Sequence, residues 1–597
     1  MKKVFAVLSV AAVLLATLTA CSASGIKAGS VVNIGETSEF NSINADNRTS
    51  DAALAINREV AALVDASFFF TDAAGKLVPN EEFGAVTVVG KNPLKVKYSL
   101  TGKAKWSDGV AVSADDLLLS WLAARNPADA GFESVRGGSG LKWTTSIPLV
   151  SADKKALTVT YDRAVSDWQR VMTVNAPAHL VAQKAFGIAD APAALSRFEE
   201  AVSSSNVADQ TLLSAEYSHL FLVRSPVAAS VNNATPTATP TPTASSAPIE
   251  IGGGLKVNAG AYLVESVQPG VSITLKANPG FSWGPPVTIE TVNIKFYSDS
   301  TAMLSAMQAG EVDICAPSES GIATNADLIN LAKAAGAKYE FAASNDIEAF
   351  LLNFGADSVF STAKSDVVKS AALRDAFLKL IPRTKVLAAL GKDNPVLEAR
   401  SWIYSNASNY YTPFVQSNGS AGFQFQNAEA AGELLKTANI RTPVDLRVLF
   451  DSNNPRAKME FALLGQYAAA VGFNLIDVST KDPRTVSATG MFDVLITTVP
   501  LAGEVGGDPY WFTGGSVGQF ADPALDALLV TYSAKSDALD QISVLKQVDA
   551  ELYLAKFGLP LYQVPSLLVY GKRIKTIVDA PYGGSATYGY WNWTLNG

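Results

Sequence analysis

The sequence predicts an α/β protein whose sheets are partly parallel. Stretches with the two-residue period of a strand alternate with helical patterns along most of the 597 residues. The chain is 48% hydrophobic, which is enough apolar surface for two or three packed cores. After residues 1–20, no apolar run reaches the length of a membrane span. These observations together predict lobes made of sheets covered by helices.

The first elements are predicted by the spacing of apolar residues. Residues 31–34 have the pattern of a strand, and residues 50–64 carry apolar side chains at near-helical spacing. Residues 86–89 and 94–100 predict two further strands. The segment Lys91-Asn92-Pro93 between them is typical of a hairpin turn.

Ser113 predicts the start of the next helix. Its hydroxyl is suited to accept a hydrogen bond from a backbone N–H that has no partner at a helix N-terminus. Asp115 and Asp116 follow, where negative charge is favoured by the helix dipole. Residues 117–122 then supply the apolar face.

The second half of the chain repeats the alternation of strands and helices. Residues 260–264 and 271–275 predict a second hairpin-like pair, and residues 301–309 a helix stopped by Gly310. Residues 350–353 predict a short apolar strand. Further strands and helices are predicted at residues 444–450, 456–471, 473–478 and 494–499.

The N-terminus has the features of a secretory signal. Lys2 and Lys3 precede an apolar run over residues 4–18, which is too short for a stable membrane span. The run closes with Leu18-Thr19-Ala20-Cys21, which resembles the bacterial lipobox. That resemblance implies a signal peptide of residues 1–20, diacylglycerol on Cys21 and a tether of residues 21–30. The alternative is an ordinary signal that happens to contain a cysteine.

Composition argues against several functional classes. The net charge of −8 argues against a nucleic-acid partner, because no basic patch is present to neutralise phosphates. The two histidines, His179 and His219, form no Cys/His cluster, so neither a metal site nor a cofactor is expected. After processing Cys315 is the one remaining cysteine, which excludes a structural disulfide. We expect it to be a buried small hydrophobic residue.

One motif matches a catalytic pattern by letter. Gly514-Gly515-Ser516-Val517-Gly518 fits the G-x-S-x-G turn of α/β hydrolases. That turn requires a histidine downstream, and both histidines lie upstream of Ser516. We therefore expect a glycine-rich loop and no enzymatic activity.

Residues 234–248 form a break in composition. Repeated Pro and Thr with almost no apolar bulk cannot pack into a core, so a disordered loop is predicted over residues 231–248. A tolerated surface insertion and an O-glycosylated stretch both fit this composition.

A series of short motifs carries a family resemblance. In order they are Lys105-Trp106-Ser107-Asp108-Gly109, Val112-Ser113-Ala114-Asp115-Asp116, Pro177-Ala178-His179, Gly260-Ala261-Tyr262 with Asn278-Pro279, Ala309-Gly310-Glu311-Val312-Asp313, Leu373-Arg374-Asp375-Ala376-Phe377 with Arg383, and Asp522-Pro523-Ala524-Leu525-Asp526-Ala527-Leu528. Their order and spacing resemble those of the oligopeptide- and dipeptide-binding proteins of ABC importers, the family-5 extracellular solute-binding proteins.

The resemblance implies a periplasmic-binding-protein-like clamp of type II, in the large class with an additional domain. Lobe I would combine residues 31–66, 191–316 and 561–597. The additional domain of lobe I would hold residues 67–190, and lobe II residues 317–560. Such lobes close over a ligand by rigid-body motion.

The resemblance also implies candidate ligand-binding residues. Family members that bind peptides place an acidic residue in a loop ending in Asp/Glu-Pro, where it pairs with the ammonium group of the ligand. Asp508 matches the end of that loop, whereas the acidic position falls on Val505, so that Glu504 would serve only with a shift of one residue. Trp511 and Phe512 are candidates from the same loop. Phe350 and Asn353 come from the strand where the family pairs with its ligand, and Trp402 and Tyr404 from the segment after Arg383.

The function implied is capture of oligopeptides and their delivery to the permease subunits of an ABC importer. We expect a monomer on the outer face of the cell membrane, held there by a lipid anchor. The alternatives are the same fold with an oligosaccharide, an opine-like molecule or a metal chelate, and a surface sensor.

Overall fold

A computed structural model gives the fold of the chain. It describes residues 25–45, 51–72, 77–126, 130–132, 140–144, 146–162, 165, 168–169, 171–224, 250–317, 325–361, 366–390, 397–406, 408–481, 483–503, 509–513, 518–535, 537–578 and 585–596. Cys21, the Pro/Thr segment 231–248, Glu504, Asp508 and Ser516 lie outside these ranges.

The first part of the chain supplies two small sheets, the start of the main sheet and five helices. Its elements are β1 (Lys27–Glu36), α1 (Asp51–Val64), β2 (Phe69–Thr71), β3 (Leu77–Pro79), β4 (Gly84–Lys91), β5 (Leu94–Leu100), α2 (Ala114–Arg125), β6 (Leu149–Val150), β7 (Ala156–Thr160), α3 (Ala178–Phe186), α4 (Ala191–Ser203), α5 (Val207–His219) and β8 (Val223–Arg224).

The rest of the chain completes the main sheet. Its elements are β9 (Glu250–Ile251), β10 (Tyr262–Gln268), β11 (Ser272–Ala277), β12 (Ile289–Phe296), α6 (Ser300–Gln308), β13 (Ile314–Cys315), α7 (Asn325–Ala334), β14 (Lys338–Leu352), α8 (Val367–Leu380), α9 (Arg383–Ala389), α10 (Tyr411–Val415), α11 (Ala428–Thr437), β15 (Val444–Leu449), α12 (Pro455–Val471), β16 (Phe473–Asp477), α13 (Pro483–Thr489), β17 (Val494–Pro500), α14 (Pro523–Ser533), α15 (Ala538–Leu554), β18 (Gly558–Tyr570), β19 (Ile574–Thr576) and β20 (Thr594–Leu595).

The main sheet has ten strands in the order β10-β11-β12-β1-β13-β18-β14-β17-β15-β16. Strand β1 runs parallel to β12 and β13, and β15 runs parallel to β16 and β17. The other pairings in the sheet are antiparallel. The prediction of an α/β fold with partly parallel sheets is confirmed.

Two large cores lie at opposite ends of this sheet. The first holds β1, β12, α1, the four-stranded sheet β4-β5-β7-β6 and helices α2 to α5, and we refer to this part as lobe I. The second holds β15, β17, the helices from α8 onward and half of β14 and β18, and we refer to it as lobe II. A small third cluster packs α6 and α7 around Met303 and Cys315. The lobe boundaries expected from the sequence stay a prediction; α7 and Tyr339 of β14 pack in the third cluster.

Strands β14 and β18 cross from one lobe to the other. Residue Ala343 pairs with Pro565, and Ile347 pairs with Gln563, so three residues of β14 face one residue of β18. Such a bulge interrupts the ladder and lets the strands bend. Gln563 spans the gap, because its side-chain amide donates to the carbonyl oxygen of Ser344 at 3.1 Å. We call residues 344–346 the hinge bulge.

Most predicted elements are confirmed, and two boundaries differ. The helix at 301–309 and its stop at Gly310 are found within one residue, and the hairpin around Asn92-Pro93 joins β4 and β5. Strand β1 begins at Lys27, inside the segment expected to be a tether, because Lys27 pairs with Ile289. The short strand predicted at 350–353 is the end of a 15-residue strand.

Three of the family-like motifs meet at Asp116. Its carboxylate accepts hydrogen bonds from the backbone N–H groups of Ser113 at 2.8 Å and Ala178 at 2.8 Å, and from the indole N–H of Trp106 at 3.3 Å. The hydroxyl of Ser113 accepts from Asp115 N–H, so the predicted helix cap is confirmed.

The turn after Trp106 is part of the same arrangement. Asp108 accepts from the backbone N–H of Val110 and lies 2.7 Å from the ring nitrogen Nε2 of His179. Gly109 takes a φ of 92°, which an L-residue with a side chain adopts only with strain. These motifs therefore hold this part of lobe I together.

Asp116→Asn should destabilise the protein by about 2–4 kcal/mol, because an amide cannot accept all three hydrogen bonds and leaves buried donors without partners. Chemical denaturation measures the change. Asp526→Asn, on the exposed side of α14, is the control and should change the unfolding free energy by less than about 0.5 kcal/mol. Equal stability of the two variants would contradict the assigned role of Asp116.

Candidate functional site

The parallel strands of both lobes point their carboxyl ends at the hinge bulge. In lobe I, β13 ends at Cys315 opposite Val569 and runs on toward the crossing. In lobe II, β17 ends at Pro500 opposite Asp346. Open α/β sheets bind ligands at the carboxyl ends of their strands. Since two such edges border one bulge, the region between them is the candidate site.

The wall of the candidate site that belongs to lobe I contains a pair of carboxyl groups. Glu36 ends β1, Glu59 lies on α1, and the two side chains are hydrogen-bonded to each other. Glu59 also accepts hydrogen bonds from the Ser585 side chain and the Ala586 backbone. Burial raises the pKa of Glu59 to about 7. Burial, with the charge of Glu59 beside it, holds the pKa of Glu36 well above its usual range.

At the hinge bulge, the carboxyl group of Asp346 interacts with the charge of Arg58. The side chain of Asp346 is exposed to water, yet the surrounding protein raises the pKa of its carboxyl by desolvation. An exposed side chain with protein on several sides is typical of a cleft. Arg58 on α1 lowers the same pKa by its charge, so groups of both signs lie at the crossing.

The wall from lobe II has a buried ion pair. Glu348 is 0% exposed and accepts hydrogen bonds from Arg456 Nη2 at 3.2 Å and the Thr498 hydroxyl at 3.2 Å. Beside it, the hydroxyl of Tyr562 donates to Glu460 at 2.7 Å. Arg456 is at the start of α12, so this pair ties the helix to β14 directly beyond the hinge bulge.

Several predicted site residues are brought together in one aromatic cluster. The ring centroid of Trp402 lies 6.3 Å from that of Phe512 and 5.2 Å from that of Phe557, and Trp511 lies 4.9 Å from Phe512. Trp402 and Phe512 are buried, whereas Trp511 is half-buried. Of these three predicted ligand contacts, Trp511 has the most surface to offer.

Phe350 and Asn353 lie deep in lobe II. The backbone of residues 347–351 pairs with β17 on one side and β18 on the other, so both edges are occupied. The side-chain amide of Asn353 donates to the carbonyl oxygens of Gly490 and Phe492. Both residues are 0% exposed, and in this structure they shape the wall of lobe II and present no surface to a solute.

Tyr404 packs against Tyr410 and Phe414, with ring centroids 5.2 and 5.0 Å apart, and is 8% exposed. Glu504 and Asp508 lie outside the described residues, so their contact with a ligand stays a prediction. Across the described segments, no three His, Cys, Asp or Glu side chains are grouped as metal ligands would be.

Sequence reasoning missed the charged groups at the hinge. Glu36 lies two residues after the strand predicted at 31–34, and a polar residue at the carboxyl end of a parallel strand is a usable signal. Arg58 and Glu59 lie within a helix that was predicted for its apolar face. Glu348 and Arg456 are more than a hundred residues apart, and no local pattern joins them.

The architecture is that of a two-lobed binding protein. Residues 87–518 match the bacterial extracellular solute-binding proteins, family 5 (middle). Since the match covers well over half of the chain, the protein belongs to this family. Members of this family bind small solutes outside the cytoplasm and deliver them to ABC importers.

Curated relatives are similar to this chain over nearly their whole length. An uncharacterized lipoprotein of Mycobacterium leprae is 22% identical over 604 residues, covering 98% of this chain and 97% of the relative. An uncharacterized lipoprotein of Mycobacterium tuberculosis is 22% identical over 594 residues, covering 97% and 95%.

Solved structures share the fold. The periplasmic EDTA-binding protein EppA superposes with a TM-score of 0.73 at 20% identity, covering 96% of this chain and 98% of that one. The oligopeptide-binding protein AppA from Bacillus subtilis, in complex with a nonapeptide, gives 0.65 at 13% identity, covering 95% and 99%. Among the described residues, no helix has both the length and the hydropathy to cross a bilayer.

Glu59→Gln should make the stability of the protein less dependent on pH. A carboxyl whose pKa is raised by folding contributes stability at acidic pH, and that contribution is lost as the pH rises from 4.5 through about 7. The amide keeps the neutral form at every pH. We therefore expect the drop in unfolding free energy between pH 5 and pH 8 to shrink by roughly 1–3 kcal/mol.

Urea denaturation at both pH values measures this drop. The control is Glu39→Gln, an exposed glutamate three residues after Glu36, which should leave the drop unchanged. If Glu59→Gln shows the same drop as the parent protein, the raised pKa of Glu59 does not govern this pH dependence.

Proposed function

We propose that the protein is an extracytoplasmic lipoprotein that captures an oligopeptide between its lobes and delivers it to the permease subunits of an ABC importer. The observation that carries this proposal is the convergence of both carboxyl strand edges on the hinge bulge. A solute held there contacts both lobes, and only such a solute favours the closed form over the open one. The role is capture without chemistry, and the protein acts as a monomer.

The charges at the crossing support a peptide as the solute. A peptide carries an ammonium group, a carboxylate and many neutral main-chain groups. Arg58 and Asp346 place one group of each sign at the hinge bulge. Glu504 and Asp508 remain the candidates for the ammonium group, and Trp511 for side-chain contact. The fold is shared with AppA, crystallised with a nonapeptide, and with a Pseudoalteromonas protein crystallised with Met-Leu.

A second candidate is a carboxylate-rich solute or its metal chelate. EppA is described as an EDTA-binding protein, and other proteins with this fold were crystallised with Ni(L-His) and with agropinic acid. The exposed guanidinium of Arg58 suits a carboxylate equally well. A surface sensor is a further use of the same clamp.

A thermal-shift series separates these candidates, because a solute that binds only the folded protein raises its melting temperature. We expect free peptides to stabilise the protein by about 2.7 kcal/mol at a hundred times their Kd. EDTA and the nickel–histidine complex should give no shift. A shift with chelates and none with peptides would move the assignment to the second candidate.

Two variants test the contact with the ammonium group in the same thermal-shift assay. Glu504→Gln should weaken free-amine peptides and leave N-acetylated peptides unaffected, since the acetyl group removes the ammonium charge. Asp508→Asn, in the same loop, tests the other candidate with the same two peptide types. Equal loss for both peptide types would remove the ammonium role from Glu504.

The proposed anchor is diacylglycerol on Cys21. Cys21→Ala should shift the protein from the membrane fraction to the soluble fraction of cells, because one thioether-linked lipid group provides the attachment. Cys315→Ala is the control, since that thiol is 0% exposed and should not alter the distribution. Unchanged membrane association of Cys21→Ala would contradict the anchor.

A further inference from the structure

A second contact between the lobes lies away from the hinge bulge. The ammonium nitrogen of Lys142 is 4.8 Å from the ring centroid of Trp143 and 5.3 Å from that of Tyr510. Trp143 packs on the core of lobe I, whereas Tyr510 packs on the core of lobe II. One cation is therefore shared by aromatic rings from the two lobes.

The side of lobe I that carries Lys142 is rigidly built. Residues Gly140–Trp143 form a 3₁₀ turn whose Leu141 is 0% exposed. Thr144 donates to the carbonyl oxygen of Leu141 at 2.9 Å and accepts from the indole N–H of Trp121 at 3.1 Å. The carbonyl oxygen of Trp143 accepts from the N–H of Asp162. The position of Lys142 is thus fixed relative to lobe I.

The side of lobe II that carries Tyr510 is also anchored. Residues Pro509–Phe512 form a 3₁₀ turn, and Phe512 is buried in the aromatic cluster with Trp402. The carbonyl oxygen of Tyr510 accepts from the N–H of Thr513 at 3.1 Å and from its hydroxyl at 2.9 Å. The ring of Tyr510 lies 6.2 Å from that of Tyr532.

We propose that Lys142 is a positioning residue for closure, and that its ammonium group latches lobe I to lobe II by lying against Trp143 and Tyr510. An ammonium group over an aromatic face is attracted by the quadrupole of the ring. Rotation about the hinge bulge separates the two turns, so the contact with Tyr510 exists only while the lobes are together. Tyr510 adjoins Trp511, and a solute touching Trp511 therefore favours the same arrangement. This last step rests on the proposed function.

The test measures lobe opening without any solute, so it stands whether or not the importer role is correct. Spin labels are placed on cysteines at Ile147 and Val530, which are 40% and 61% exposed and lie near the two turns. The full-length chain is used in detergent with Cys21→Ser, and Cys315 does not react because it is buried. Double electron–electron resonance then gives the ratio of open to closed molecules.

Lys142→Met and Tyr510→Leu should each raise the open-to-closed ratio about 2- to 30-fold. The double variant should show no more than either single change, because both remove one contact. Lys142→Arg keeps a cation and should stay close to the parent protein. Lys97→Met, on the exposed side of β5, removes a lysine that does not touch lobe II and should have no effect.

An unchanged ratio for Lys142→Met would overturn the proposal. So would additive effects of Lys142→Met and Tyr510→Leu, because independent contributions mean that the two side chains do not act on each other. Loss of stability alone, with the ratio unchanged, would assign Lys142 a purely structural role and would equally overturn it.

Discussion

The pairing of β14 with β18 is the constraint on which the two-lobed form depends. These strands are the long ones. Strand β18 contributes residues to both large cores, whereas β14 runs from the third cluster at Tyr339 into the second core. Continuous hydrogen bonding would make the pair a stiff ribbon and would fix one angle between the lobes. The three-residue bulge at 344–346 interrupts that ribbon, and a second register shift follows between Glu348 and Ala349. The sheet is therefore continuous across both lobes and able to bend along this stretch, which is what a clamp requires.

Buried carboxyl groups are stabilised differently in the two lobes, on either side of the hinge bulge. In lobe I, Glu36 and Glu59 avoid the cost of two buried charges by retaining a proton between them. In lobe II, Glu348 is paired with Arg456. Because burial raises the pKa of Glu59 to about 7, the charge of the lobe I pair changes near neutral pH.

Local signals in the sequence predicted the elements well and the site poorly. Ser113 was recognisable as a cap because a cap is a contact between neighbours in sequence. The extent of β14 was missed, since residues 338–343 are held as a strand by pairing with β18, which follows more than two hundred residues later. Phe512 was chosen from a glycine-rich loop and Trp402 from the segment after Arg383, but neither segment shows that Phe557 packs against both rings. The charged groups at the hinge come from distant segments, and only the topology brings them together.

The strength of the contact at Lys142 matters as much as its place. A large apolar seal between the lobes would hold them shut with or without a solute, and release to a transporter would then require a large input of free energy. A single cation–π contact contributes about 0.5–2 kcal/mol, so this contact alone favours the closed form by no more than that amount. A bound solute then needs to supply only a modest difference in affinity to move most molecules to the closed form. The contact thus biases the balance while leaving the solute to decide it.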